Sequence, residues 1–132
     1  MNGEKDLDKI LKTMTPVHTP GDYVFCIPDN LEHIRIEDMI LIFKEQEGNT
    51  IIIKKELADN LGLAYSFVAG WITLSVHSSL EAVGLTAAFS TALANEGISC
   101  NVVAAFYHDH IFVDKKDVMK AMEVLNKFSA SV

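Results

Sequence analysis

The chain has 132 residues, 49% of them hydrophobic, which is enough for one compact domain or for two small lobes that share a core. Its formal net charge of −7 and its single arginine, Arg35, argue against a nucleic-acid partner, because phosphate-binding surfaces need clustered Lys and Arg. No apolar run approaches the ~20 residues of a membrane span, and the first residues lack the pattern of a secretory signal. Cys26 and Cys100 lie in apolar, strand-like contexts and are predicted to be buried free thiols, which favours a cytoplasmic location.

The first third of the chain predicts one helix and one strand. Apolar residues spaced i, i+3, i+4 and i+7 over 7–14 indicate an amphipathic helix. We expect Pro16 and the Thr-Pro-Gly segment 19–21 to end this helix before a strand at 23–27. The segment 31–38 matches neither period.

A hairpin follows. Apolar runs at 39–44 and 50–54 flank the turn residues 46–49, whose Gly and Asn can adopt positive φ. The near-continuous apolar character of both runs predicts that both faces of the hairpin are covered. A short helix at about 55–61 is then expected to end at Gly62.

The second half has the element order β-α-β-β-α. The elements are a half-buried strand at 71–77, a helix with an apolar stripe from Leu85 to Leu93 before Gly97, strands at 98–106 and 110–113, and a helix with a stripe from Val118 to Phe128 that Asp114 can cap. This order is that of a ferredoxin-like βαββαβ unit without its last strand. Because an open sheet edge is a liability, we expect a strand from the first half or from a partner chain to complete the sheet.

Three segments between residues 72 and 98 resemble the ACT-domain family. These are the strand Ile72–Val76, the turn Glu81–Leu85 and the helix end Leu93–Ile98. In that family an Asp-x-Pro-Gly turn joins the strand to the helix. Here Glu81 stands in place of the Asp and Val83 in place of the Pro, while Gly84 is kept. The longer motifs 76–88 and 107–113 are similar to those of small two-lobed proteins related to the regulatory part of aspartate kinases.

The resemblance implies an α+β fold with two ferredoxin-like lobes, each an antiparallel sheet backed by helices. We assign residues 1–65 to a degenerate N-terminal ACT-like lobe and residues 66–132 to a C-terminal ACT domain. ACT domains bind amino acids at an interface between two such units and pair side by side. The resemblance therefore implies a regulatory protein that binds an amino acid and is not an enzyme, with no cofactor.

The predicted ligand site is the loop between the strand and the helix, together with polar residues of the neighbouring strands. Amides at a helix N-terminus suit a carboxylate, and Glu81 can accept an ammonium group or cap the helix. The residues alone favour turn-making and capping, and the resemblance adds ligand binding. The predicted ligand-binding residues are Ser78, Ser79, Leu80, Glu81, Val83, Gly84, Asn101, His108 and His110.

Asn101, His108 and His110 each allow a second interpretation. Asn101 faces away from Cys100 and Val102, so it either reaches the pocket or lies on an outer face. His108 and His110 share a face of an extended chain, as metal ligands do, but no third His or Cys has a suitable spacing, so we predict no metal. They suit a hydrogen-bonded hairpin or a small-molecule pocket better.

Two other functions compete with the amino-acid sensor. One is a protein-interaction adaptor without a ligand, and the other is a metal-dependent enzyme that uses His108 and His110. In all three cases the segment 102–105, which is apolar on both faces, favours burial against another subunit or lobe, and we predict a homodimer.

Overall fold

The structure, a computed structural model, describes residues 6–75 and 83–130. Within these ranges the strands are β1 (Thr15–Cys26), β2 (Leu41–Lys44), β3 (Asn49–Lys54), β4 (Val68–Ser75), β5 (Asn101–Ala104) and β6 (Asp109–Asp114). The helices are α1 (Leu7–Thr13), α2 (Lys55–Leu61), α3 (Leu85–Asn95) and α4 (Val118–Ala130), with 3-10 turns at Ile36–Asp38 and Lys115–Asp117. No helix in the described ranges has the length and apolar character needed to cross a membrane.

The chain divides into two compact units. Unit 1 consists of Met1–Pro20 and Gly70–Val132, and unit 2 consists of Gly21–Ala69. Strands β1 and β4 each contribute residues to both units. The first twenty residues thus belong to the same unit as the C-terminal half, so unit 1 is discontinuous in sequence.

Unit 1 contains the β-α-β-β-α order that the sequence predicts, from β4 through α3, β5 and β6 to α4. Its strands lie in the order β1-β4-β6-β5, and β5 pairs antiparallel with β6, with Val103 opposite His110. Strand β1 lies beside β4, the position that the sequence left to a strand from elsewhere. The N-terminal segment of the same chain therefore completes this sheet.

The core of unit 1 lies between one sheet face and the helices. Helix α1 contacts α3 and α4, and α3 contacts α4. Alternate residues of β4 and β6 point into this core and meet the predicted helix stripes, among them Ile72, Leu74, Phe89, Leu93, Ile111 and Leu125, all fully buried. The apolar periods of 2 and 3.6 residues identified these faces correctly.

Unit 2 contains the predicted hairpin. Strands β2 and β3 pair antiparallel with Lys44 opposite Asn49, and β3 also pairs antiparallel with β1. The prediction that both faces of the hairpin are covered holds for Ile51–Ile53 of β3, which are fully buried, but is wrong for β2, where Phe43 is 62% exposed. Strand β2 is an edge strand, so its side chains have a neighbour on one side only. Helix α2 ends at Gly62 in the left-handed conformation (φ +67°), as expected.

The expected start of β1 was wrong. Pro16 and the segment 19–21 were expected to end α1, with the strand starting only at residue 23, but β1 begins at Thr15 and continues through Pro16 and Pro20. Strand β1 pairs with β3 only from Tyr23 onward, so neither proline removes a hydrogen bond from that ladder. Asp114 caps the 3-10 turn before α4 rather than α4 itself, through a 3.0 Å hydrogen bond from the Lys116 amide.

Both cysteines are free thiols. Cys26 is buried and Cys100 is half-buried. Burial raises the pKa of both thiols, and it raises the pKa of Cys100 to about 11.

We expect Cys100 to react with a disulfide reagent near neutral pH about a hundredfold more slowly in the native protein than in guanidinium chloride, because only the thiolate attacks. The absorbance of the thiolate that the reagent releases, followed on Cys26→Ala, gives the reaction rate of Cys100 alone. The same measurement on Cys100→Ala gives the rate of Cys26 for comparison. Equal rates would contradict this expectation, because they would show that Cys100 is as accessible and as readily ionised in the native protein as in the unfolded chain.

Candidate functional site

The structure describes two parts of the predicted ligand site. Val83 and Gly84 lead into α3, whereas Ser78, Ser79, Leu80 and Glu81 lie outside the described residues. Val83 is 84% exposed. Gly84 has a φ of +92°, in the left-handed region, and a Cβ on it would lie 3.1 Å from Cδ2 of Leu7. Backbone conformation and the packing of α1 both require glycine at this position.

The beginning of α3 is held in place by the core. Leu85, Phe89 and Leu93 are buried along one side of the helix. The first helical hydrogen bond runs from the Ala88 amide to the Gly84 carbonyl at 2.9 Å, so the amides of residues 85–87 are not used within the helix. Gly84 has no side chain to cap them. These amides and the helix dipole favour an anion at this end of α3.

The second part of the site lies on the sheet face of unit 1 opposite the helices. We call it the His110 face, and it carries Trp71, Thr73, Asn101, Val103, His110 and Phe112. The residues that alternate with these on β4 and β6 point into the core on the helix side. The His110 face therefore points away from the helices. Trp71 packs on Phe112 with ring centroids 6.0 Å apart, and Phe112 is 1% exposed.

His110 is the most strongly positioned polar side chain on this face. Its Nδ1 accepts a 3.0 Å hydrogen bond from the indole Nε1 of Trp71, and Oγ1 of Thr73 lies 3.1 Å from the same nitrogen. An indole N–H only donates, so Nδ1 carries no proton and the neutral ring is protonated at Nε2. Burial lowers the pKa of His110, and the neighbouring His108 lowers it further, while Asp109 opposes this.

His108 is the partner of His110 in the predicted pair. The two imidazole rings have centroids 6.5 Å apart and meet edge to face. Nδ1 of His108 is buried and has no hydrogen-bond partner among the described residues. The carbonyl of His108 accepts from the Ala105 amide at 3.0 Å, which closes the β5–β6 hairpin.

Asn101 lies at the start of β5, opposite Phe112. Its Nδ2 donates to the Phe112 carbonyl at 3.1 Å, and the residue is exposed. Cys100 and Val102 pack against the helix-side core, so Asn101 faces away from both. Asn101 and His110 therefore share the His110 face as diagonal neighbours on adjacent strands.

The structure brings His108, His110 and Asn101 together on one hairpin. Within residues 6–75 and 83–130, no hydrogen bond joins Val83 or Gly84 to these three. Neither Thr73 nor Trp71 was among the residues predicted to bind the ligand. On β4, Trp71 and Thr73 are half-buried and alternate with fully buried residues. This period-2 pattern could have identified them as residues of one face from the sequence.

The metal hypothesis finds no support from the hydrogen bonds of His110. A metal ligand needs a nitrogen lone pair, but Nδ1 is engaged by Trp71 and Nε2 carries the proton. The described ranges contain no group of three His, Cys, Asp or Glu residues arranged to hold an ion.

Unit 2 has a separate surface cavity of about 200 Å³ between the segment after β1 and the end of α2. Asp29, Asn30 and His33 line it together with apolar side chains. None of the described residues of the predicted ligand site lines this cavity.

Comparison with known families decides the class of the protein. ACT-domain family models match residues 2–70 and 66–127. The chain belongs to the ACT-domain family. Two ACT matches in succession account for nearly all of its length, and ACT domains are regulatory modules that bind small molecules. The predicted resemblance and the regulatory class of the protein are thereby confirmed.

Solved structures agree with this assignment. A Vibrio cholerae protein of unknown function, described as a possible transport protein, is 45% identical over 95% of this chain and 97% of its own, with a TM-score of 0.84. An Agrobacterium tumefaciens protein is 17% identical with a TM-score of 0.65, over 88% of this chain and 89% of its own. The regulatory subunit of aspartate kinase from Thermus thermophilus is 10% identical, with a TM-score of 0.61 over 89% and 97% of the two chains.

These likenesses confirm the α+β, ferredoxin-like fold of the ACT protein with its two lobes. No curated protein matches the chain.

Proposed function

We propose that this ACT protein is a sensor that binds an amino acid at an interface between two ACT units and that it has no catalytic activity of its own. The observation that carries the proposal is the pair of consecutive ACT matches at 2–70 and 66–127. The two free thiols support the further proposal of a cytoplasmic location.

The start of α3 supports a ligand with a carboxylate. The amides of residues 85–87 and the positive end of the helix dipole attract an anion, and Gly84 lets it approach the backbone. Glu81, with Ser78 and Ser79, is proposed to hold the ammonium group. A zwitterion is the ligand class that satisfies both halves of such a site.

The edge of the unit 1 sheet supports a homodimer. Strand β5 is the last strand on its side, and no charged residue occurs from Gly97 to Tyr107. Edge strands that stay unpaired commonly carry charges or prolines that prevent pairing, and β5 carries neither. Phe106 and Tyr107 add exposed aromatic area beside it, at 64% and 71% exposure. A second copy of the chain, itself carrying a net charge of −7, meets no like charge along this edge.

A thermal-shift screen of the amino acids tests the sensor. A ligand present at 100 times its Kd is expected to stabilise the protein by about 2.7 kcal/mol, which raises Tm by several degrees. Titration calorimetry then gives the Kd of the amino acid that shifts Tm. Failure of every amino acid to shift the Tm of the wild-type protein would contradict the proposal.

Two matched variants locate the ligand. Glu81→Gln keeps the shape of the side chain but removes the charge proposed to bind the ammonium group, so we expect at least tenfold weaker binding. Glu123→Gln makes the same charge change at an exposed position on α4 and is expected to leave the Kd unchanged. Equal Kd values for the two variants would place the ligand elsewhere.

A further inference from the structure

The chain contains a single tryptophan, and its indole donates to a histidine 39 positions away in sequence. Nδ1 of His110 has two neighbours at hydrogen-bond distance, the Nε1 of Trp71 and the Oγ1 of Thr73. Both neighbours come from β4 and lie two residues apart on the same face. Two side chains of β4 thus compete for one ring nitrogen of His110 on β6.

Trp71 and Thr73 differ in the hydrogen bonds that they can form with Nδ1. An indole N–H only donates, so it requires a lone pair on Nδ1. A hydroxyl donates or accepts, so Thr73 can bond Nδ1 whether or not that nitrogen carries a proton. Trp71 therefore bonds only neutral His110, whereas Thr73 can bond both forms.

We propose that His110 is a proton switch that holds Trp71 when its Nδ1 is unprotonated and releases it to bond Thr73 when Nδ1 takes up a proton. In this step hydronium gives a proton to the Nδ1 lone pair, so the imidazole becomes an imidazolium and a water molecule is left. The Trp71–His110 hydrogen bond is lost, and the new Nδ1–H donates to Oγ1 of Thr73. Trp71 also packs on Phe112, so its release changes the contacts of the His110 face.

Burial and the neighbouring charged groups together set the pH at which His110 takes up the proton. Among the residues that the structure describes, His108 and Asp109 of the same hairpin act on its ring electrostatically, and they act in opposite directions. The facing residues Trp71 and Thr73 of β4 and Val103 of β5 carry no charge. Burial is the largest influence and lowers the pKa of His110, so the folded protein favours the neutral ring.

The folded protein is expected to lose stability as the pH falls. Because the pKa of His110 is lower in the folded than in the unfolded chain, the unfolded chain binds the proton more readily. The stability that neutral His110 contributes is complete above about pH 6.5, the usual pKa of histidine, and is lost as the pH falls through the lower pKa of the folded state. The switch therefore operates on mild acidification.

Fluorescence of the single tryptophan reads the switch directly. Titration from about pH 8 to about pH 5 is expected to change the emission of Trp71 with a midpoint below about 6.5, while far-ultraviolet circular dichroism stays native. His110→Asn keeps an acceptor for the indole but does not titrate, so this transition disappears. An unchanged transition in His110→Asn, or no transition in the wild-type protein, would overturn the proposal.

Variants of the neighbouring residues shift the midpoint in opposite directions. His108 lowers the pKa of His110 and Asp109 raises it, so His108→Asn is expected to raise the midpoint and Asp109→Asn to lower it. Thr73→Val removes the acceptor of the protonated form and also lowers it. The NMR titration of the His110 Cε1–H in the wild-type protein gives the same midpoint without any substitution, and a value above that of an exposed histidine would contradict the switch.

Discussion

Gly70→Ala is expected to lower the free energy of unfolding by about 2 to 3 kcal/mol, because it overpacks the contact between β4 and α4. A Cβ on Gly70 would lie 2.2 Å from Cγ2 of Val118, far inside van der Waals contact. Val118 is buried, and as a β-branched residue in a helix it has one strongly preferred rotamer. The strand or the helix must move instead. Urea denaturation of the wild-type and variant proteins measures the difference.

A double-mutant cycle tests the cause of this effect. Val118→Ala alone is expected to cost about 2 kcal/mol, since it removes two buried methyl groups. Adding Gly70→Ala to Val118→Ala is expected to cost little more, because the clashing methyl is gone, which gives a coupling of about 2 kcal/mol. Gly97→Ala is the matched control: its Cβ meets nothing within 4 Å and its φ is +76°, so only backbone strain of about 1 kcal/mol is expected. Additive effects in the cycle would show that Val118 is not the obstacle.

Val103→Lys is expected to convert the proposed dimer to a monomer. Val103 lies in the middle of β5, and a lysine in each copy places two like charges beside the new strand pair. The dimer Kd is expected to rise by about a hundredfold or more, since each 1.4 kcal/mol is a factor of ten. Light scattering at several protein concentrations measures the oligomeric state.

Two controls accompany this measurement. Thr91→Lys adds the same charge at an exposed position of α3 and is expected to leave the dimer intact. Far-ultraviolet circular dichroism checks that Val103→Lys remains folded. A wild-type protein that is monomeric at high micromolar concentration would contradict the dimer, and a dimeric Val103→Lys would place the interface away from β5.

The ligand site and the proton switch are tested separately. Amino-acid binding is read by the change in Tm and by Glu81→Gln, and proton uptake is read by Trp71 emission in ligand-free protein. A failed ligand screen leaves the His110 titration interpretable, and the reverse also holds. The domain assignment of residues 1–65 and 66–132 remains a proposal, which expression of each segment alone would examine.

Many elements of both units follow from local sequence patterns. The helical stripe that begins at Leu85 and the alternation that includes Ile72 and Leu74 correctly identified which residues are buried. Gly62 and Gly97 correctly marked helix ends, because a left-handed residue there needs no partner from elsewhere in the chain. Such signals depend on residues within one or two turns of each other.

Other features depend on which segments meet. The prolines of β1 predicted an interruption, but whether a proline disturbs a strand depends on which of its amides the neighbouring strand requires. The apolar residues of β2 predicted burial, but its position at the edge of the sheet leaves Phe43 exposed. The local sequence determines neither which strand pairs with β1 nor which strand lies at the edge of the sheet.

The sequence by itself determined the ACT family, the regulatory class, the helix stripes and the turn at Gly84. Only the tertiary structure decided that β1 completes the unit 1 sheet and that Trp71 donates to His110. The physical reason is the same in both cases. Periodicity and turn chemistry act between near neighbours in the chain, whereas strand order and hydrogen bonds between distant side chains depend on how the whole chain packs.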